Sequence, residues 1–340
     1  MIRRFIIPVA GLALVMSLPA VASAAETALA ARAAGAVAPR AAGAAGVTAY
    51  VANLDSGNVT PIRTATNRAG PPIRVGGGPS SIAITPDGQT AYVTSETPGT
   101  VTPIRTATSQ AGPPIKVGGF PFAIAITPDG RTAYVVNDNQ AGSVTPIRTA
   151  TNRAAQPIKV GKNPVAIAIT PDGKTAYVVN DDQGGTVTPI TVATGRAGQP
   201  IKVGSFPQAI AITPDGSTAY VVNNFAGTVT PIRTATNRAG PAIKVGMQPV
   251  AIAITPDGRT AYVANSGAGT VTPVRTATNR AGPAIKVGMQ PSVIAFTPGG
   301  GTAYVTNSLS GTVTPIRTAT STPGKAIKVG SNPGAIAITP

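Results

Sequence analysis

The chain contains no cysteine, no histidine and no tryptophan, and aromatic residues make up only 4% of its 340 residues. The missing thiols exclude disulfides and thiolate metal centres, so packing and hydrogen bonds must hold the fold. Without histidine and cysteine there is no Ser-His or Cys-His nucleophile system and no zinc site of the usual kind. Acidic residues are few: 11 Asp and Glu stand against 27 Lys and Arg, a formal charge of +16. That balance favours solubility and contact with polyanions and says little about fold. Past the amino terminus there is no long apolar run, so no later segment is expected to cross a membrane.

What is abundant is glycine and proline, 39 and 34 residues, and they fall at fixed places in a repeat. Ala123 to Asn137 reads AIAIT-PDG-RTAYVVN. Thr-Pro-Asp-Gly recurs at Thr85, Thr127, Thr170, Thr213 and Thr255, is degraded to Thr-Pro-Gly-Gly at Thr297, and stops at Thr339-Pro340. Each copy predicts a hairpin in which proline fixes φ and glycine takes the positive-φ position of the turn. All seven tyrosines (Tyr50, Tyr92, Tyr134, Tyr177, Tyr220, Tyr262 and Tyr304) occupy one repeat position, 42 or 43 residues apart.

Each repeat holds four strand-like runs, a to d, which in the third repeat cover 123–127, 132–137, 143–149 and 157–160. Four strands in about 40 to 50 residues is the signature of a β-propeller blade. Strand a alternates Ala and Ile, so that a large face can pack on the next blade's small face. Strand c carries a proline in every repeat (Pro61, Pro103, Pro146, Pro189, Pro231, Pro273 and Pro315). A proline there removes a ladder donor, which predicts either a bulge or an early end to c–d pairing.

The first repeat begins at strand b, Thr48-Ala49-Tyr50-Val51, and the sequence ends on a strand a, Ala335 to Thr339. The expected fold is therefore all-β: a seven-bladed β-propeller of four-stranded antiparallel blades, closed by the carboxy-terminal strand in the first blade. Residues 1–24 read as a secretory signal, with basic Arg3 and Arg4, an apolar run and the small-residue site Ala22-Ser23-Ala24. Residues 25–46 read as a flexible Ala/Gly-rich lead-in and 47–340 as the propeller. The expected location is secreted or cell-surface.

Tyr134-Val135-Val136-Asn137 and Tyr304-Val305-Thr306-Asn307, each with its preceding turn, resemble the YVTN-type β-propeller repeat over residues 48 to 340. The resemblance implies an exported or surface-layer-like repeat protein and implies no particular activity. One departure is arginine near the end of strand c, where that family usually places aspartate. The lactonases and streptogramin lyases that share a seven-bladed architecture use histidine or Glu/Asp-rich metal sites that do not map onto this sequence.

In an antiparallel meander the a–b and c–d loops share one end of the disc, here the bottom, and the b–c and d–a loops share the top. The bottom repeats almost verbatim, whereas the top varies, and a repeat array usually places its individual features on a binding face. The candidate binding residues at the top are Phe120, Phe122, Lys162, Asn163, Phe206, Gln208, Phe225, Met247, Gln248, Met289 and Gln290, with the carboxylates Asp138, Asp181 and Asp182. Their expected partner is an unidentified protein or glycan.

The candidate contacts to an anionic envelope polymer are Arg63, Arg105, Arg148, Arg153, Arg233, Arg238, Arg275, Arg280 and Arg317, and strand d adds basic residues to the rim. The disc is thus expected to have a basic end and an acidic end. The turn aspartates are explained by turn chemistry and are expected to pair loosely with strand-c arginines. No stacking aromatics accompany the basic end, so sequence-specific nucleic acid is not an expected partner.

No cofactor and no metal site is expected, and the chain is read as a monomer. The leading expectation is an exported, non-enzymatic binding scaffold of the cell envelope. Two alternatives stand beside it: a hydrolase or lyase using top-face carboxylates, with Asp138 and Asp181 or Asp182 as the cluster, and a structural surface-layer component.

Overall fold

The computed structural model describes residues 48–329, except 54–55, 64–67 and 139–140, together with Pro333 and Ile336. The described strands form seven antiparallel sheets, the blades of a propeller. Blade 3 is representative: strand a is Pro121–Ile126, b is Thr132–Asn137 and c is Ser143–Arg148. Strand d is in two pieces, Arg153–Ala154 and Ile158–Lys159. Successive strands a lie side by side around the ring. Blade 1 begins with strand b, Thr48–Asn53.

The expected signal, lead-in and carboxy-terminal closing strand lie outside the described residues. Pro333 makes one contact seen in another unit. Its carbonyl accepts a bond from Ser292 Oγ at 3.3 Å, as the Pro121 carbonyl does from Ser80 Oγ at 3.0 Å.

The split in strand d answers the proline question. Strand c pairs with b without a break, Tyr134 facing Pro146. On its other side, Ile147 pairs with Ala154 and Val144 with Ile158, so d spends one residue more than c between the two contacts. The Pro146 carbonyl accepts the Ala155 N–H at 2.7 Å. In an extended strand the N–H and C=O of one residue point the same way, so the missing donor also faces d. Strand d bulges around it and the b–c ladder loses nothing.

The core runs between blades. Val101 and Ile115 of blade 2 pack with Ala133, Val135 and Ile147 of blade 3 in one buried cluster. Within strand a the size alternation is kept: Ile124 and Ile126 pack in the cluster that holds Ala83 of the preceding blade, and Ala123 and Ala125 in the cluster that holds Ile167 of the next.

Side chains at the bottom latch each blade to its neighbour. Tyr92 Oη donates to Asn152 Oδ1 at 2.6 Å, Tyr177 to Asn237 at 2.6 Å and Tyr220 to Asn279 at 2.7 Å, each reaching the c–d loop of the following blade. Burial, and then the charge of the neighbouring turn aspartate, pushes the phenols of Tyr92, Tyr177 and Tyr220 up to about 12. A Cβ added to Gly130 would stand 3.3 Å from Pro86, and from blade 3 onward the turn glycines fit against the proline of the blade before.

Candidate active site

At the top, a backbone bond recurs from loop to loop. The residue before the first proline of strand a is held at positive φ in every blade where it is described: Gly78, Phe120, Asn163, Phe206, Gln248 and Gln290, with φ between 48° and 62°. From blade 3 onward its carbonyl accepts the N–H of the residue that follows strand b. These pairs are Asp138 to Phe120 at 2.9 Å, Asp181 to Asn163 at 2.8 Å and Asn224 to Phe206 at 2.9 Å. Ser266 to Gln248 and Ser308 to Gln290 complete the series, both at 2.9 Å.

Just beyond, the second residue of strand a sits at a shift in register and is Ser80, Phe122, Val165, Gln208, Val250 or Ser292. These positions share one end of the ring, and their side chains owe nothing to the turn. Phenylalanine at positive φ is a sign of that freedom, since Phe120 and Phe206 hold a conformation that disfavours a bulky side chain by about 1–2 kcal/mol.

The repeat position that follows strand b in blades 3 and 4 is acidic in three consecutive blades: Glu96, Asp138 and Asp181. Glu96 lies on a longer hairpin than its equivalents, because strands Gly77–Ile84 and Thr90–Thr97 have 8 residues where the other hairpins have 6. In that blade the positive-φ residue is Gly78. A Cβ placed there would stand 3.4 Å from Glu96 Cβ and 3.7 Å from Oε2, so glycine leaves the space that the glutamate fills. Burial, and then the charge of Asp138, raises the Glu96 carboxyl above the usual range. Burial also raises Asp138. Glu96 therefore senses the charge of Asp138 on the neighbouring blade, and both carboxyls are half-buried.

Of the partners expected for Asp138 from the sequence, Asp182 is engaged in its own loop, while Glu96 on the preceding blade senses the Asp138 charge. Asp182 Oδ1 accepts the Gly185 N–H at 2.6 Å and its carbonyl accepts the Phe206 N–H at 3.1 Å. Glu96 shares a repeat position with Asp138, 42 residues earlier, and that equivalence was the signal available in the sequence.

Of the other top candidates, Phe120, Phe225, Met247 and Met289 are exposed. Phe206 meets Phe225 edge to face at 5.8 Å. Phe122 is half-buried against the cores of blades 3 and 4. Lys162 is exposed, and Asn163, Gln208, Gln248 and Gln290 lie at the mouth positions given above.

Two electrostatic expectations change. The strand-d cations pair with the first residue of strand c, Lys159 opposite Ser143 and Lys244 opposite Thr228. That places them on the outer edge of the top, not beside the bottom arginines, so charge at the top is sorted from mouth to rim. The turn aspartates bond first to their own threonines: Thr127 Oγ1 donates to Asp129 at 2.6 Å and Thr170 Oγ1 to Asp172 at 2.6 Å. The ion pairs among the described residues join Asp129 to Arg131, Asp172 to Lys174 and Asp257 to Arg259, and leave out the strand-c arginines. The threonine bond, with the backbone N–H of Arg131, holds Asp129 below the usual carboxylate range.

Among the described residues no three His, Cys, Asp or Glu side chains converge on a point where they could hold a metal ion. The donor set does not fit a resident metal, and no chemical step is routed through one.

The profile described as "Lactonase, 7-bladed beta-propeller" matches residues 148–329. Among solved structures the chain is similar to hydrazine synthase of Kuenenia stuttgartiensis, with 24% identity and a TM-score of 0.69 over 80% of this chain and 92% of that one. A protein of unknown function from Desulfotomaculum acetoxidans has 20% identity and a TM-score of 0.70 over 85% and 98%. A candidate 6-phosphogluconolactonase from Bacteroides fragilis has 20% identity and a TM-score of 0.64 over 87% and 99%. No curated protein matches the chain.

The profile match overturns the reading of a non-enzymatic scaffold. That reading rested on the missing histidine and cysteine, which exclude particular nucleophile systems and leave carboxylate chemistry open. With residues 148–329, more than half of its length, matched by the profile, the chain belongs to the lactonase family of seven-bladed β-propellers.

Proposed function

We propose that the chain is a hydrolase that opens a ring ester at the top of the propeller, with Glu96 and Asp138 as its acid–base pair. The observation that carries this reading is two half-buried carboxyls on adjacent blades, both raised above their ordinary range by burial and Glu96 also by the charge of Asp138. Perturbed titratable groups at a cleft are candidates for acid–base roles, and a pair that repels like charge shares one proton. In this reading Glu96, raised by burial and by the charge of Asp138, is assigned the proton.

Asp138 then takes a proton from water as the water oxygen bonds to the lactone carbonyl carbon. The tetrahedral intermediate collapses with cleavage of the bond to the ring oxygen, and Glu96 delivers its proton to that oxygen. The product is the open hydroxy acid. Lys162, the one basic residue of the inner top loops, suits a substrate with an anionic group, and the amides of Gln208, Gln248 and Gln290 suit a polyhydroxylated one. A sugar-acid lactone has both features, and 6-phosphogluconolactone is the member of that class to test first.

Within the family we place the chain among members built from YVTN-like repeats, on Tyr304-Val305-Thr306-Asn307 and its counterparts. We also propose that the enzyme works outside the cytoplasm, on the signal-like residues 1–24.

The test is a panel of lactones followed by proton release in a pH-stat, with native protein beside Glu96→Gln and Asp138→Asn. Hydrolysis lost in both variants with unchanged melting supports the assignment. Native rates in either variant would remove that residue from the chemistry.

A further inference from the structure

The register of the outer hairpins puts like charges face to face. Arg148 pairs directly with Arg153, Arg233 with Arg238, Arg275 with Arg280 and Arg63 with Arg68. The sequence spaces the members five residues apart, and only the turn between c and d makes them opposite. In the other blades one member is neutral: Arg105 faces Gln110, Arg196 faces Thr191 and Arg317 faces Thr322. The facing arginines of blades 3, 5 and 6 are exposed, and no ion pair among the described residues takes one of them up.

Like charges directly opposite in a sheet repel, and a packed fold gains nothing from them. An arginine pair does offer two planar forks at the separation of neighbouring strands, which is the arrangement that grips a phosphate oxygen by oxygen. The turn aspartates do not quench this set, because they are held by their own threonines and by neighbours two residues on.

We propose that these arginine pairs are a second binding site, at the opposite end from the carboxylates, for a linear phosphodiester polymer of the polyol-phosphate type. Repetition around the disc fits a polymer better than a single phosphate ester. Aromatic stacking, which single-stranded nucleic acid uses, is not offered by the tyrosines of this end. Those of blades 2 to 6 are buried, with their hydroxyls engaged in the next blade's loop. The site is independent of the hydrolase reading and stands or falls apart from it.

Fluorescence anisotropy with labelled poly(glycerol phosphate) tests it on the full chain. Binding should weaken steeply as salt rises from about 50 to about 200 mM, through counterion release. The variant Arg153→Lys/Arg238→Lys/Arg280→Lys keeps the net charge and removes three forks, and should weaken binding by about tenfold. The control Lys116→Gln/Lys159→Gln/Lys202→Gln removes three charges at the outer edge of the other end and should shift affinity by less than about twofold.

Native affinity in the arginine-to-lysine variant, or an equal loss in the control, would reduce the effect to net charge and overturn the proposal. Tighter binding of single-stranded DNA or of anionic lipid vesicles at equal phosphate would overturn the chosen polymer. Melting curves of both variants report that the fold is kept.

Discussion

The two ends of the propeller are held by different atoms. At the bottom the side chains do the holding: threonine caps its aspartate, tyrosine reaches the next blade's loop, and the turn glycine fits against the preceding proline. At the top the loops are held by backbone bonds, from the N–H after strand b to the carbonyl of a positive-φ residue. A loop whose side chains carry the fold cannot change them. A loop fixed through its backbone can carry aspartate, asparagine or serine at one position with the same geometry. That difference explains why the bottom repeats and why the half-buried carboxylate pair is at the top.

The largest effect should come from the top without touching stability. Asp138→Asn should lower the hydrolysis rate by about 10²–10⁴-fold, with urea unfolding unchanged. A full rate in that variant would break the division of labour between the ends. The pH–rate profile should have its acidic limb above the ordinary aspartate range, because Asp138 must lose a proton that burial retains. Its alkaline limb should lie above the ordinary glutamate range, because Glu96 must keep its own.

The next effect should come from the blade-to-blade core. Ile147 is fully buried, and Ile147→Ala should cost about 2–5 kcal/mol in chemical unfolding, with turnover per folded molecule kept.

Alkali should attack the bottom selectively. The phenols of Tyr92, Tyr177 and Tyr220 are raised from 10.0 to about 12 in the folded chain, so the unfolded chain releases these protons first. Their contribution is complete below the unfolded value and is lost as pH rises from about 10 towards about 12. Urea midpoints measured across that window should fall, and Tyr177→Phe should flatten part of the fall. A midpoint that stays level would contradict the latch.

Phe120→Gly should do the reverse of a core mutation. It relieves the positive-φ conformation and should raise stability by about 1 kcal/mol while raising KM for the lactone, the exchange expected where a strained residue serves binding. Smallest of all, Arg131→Gln should leave stability within about 0.5 kcal/mol, because its ion pair with Asp129 is exposed.

Much of this was legible in the residues. The tyrosine spacing and the Pro-Asp-Gly turn give blade number, strand order and the identity of the two ends, because each is a local backbone requirement repeated at a fixed interval. The strand-c prolines announced a disturbance. Whether it would be a bulge or a break depended on which side of the strand the missing N–H faces, and pairing decides that. Glu96 was left out of the candidate cluster for a similar reason. Asp181 and Asp182 drew notice as adjacent acids, while Glu96 sits alone in its loop.

What the sequence by itself determined is the architecture: seven blades, their strands and their turns, since periodic glycine, proline and β-branched residues act within a few bonds of themselves. What only the tertiary structure decided is which charges meet. Glu96 with Asp138, and Arg148 opposite Arg153, follow from the packing of one blade on the next and from hairpin register, and the energy of charge depends on distance through space.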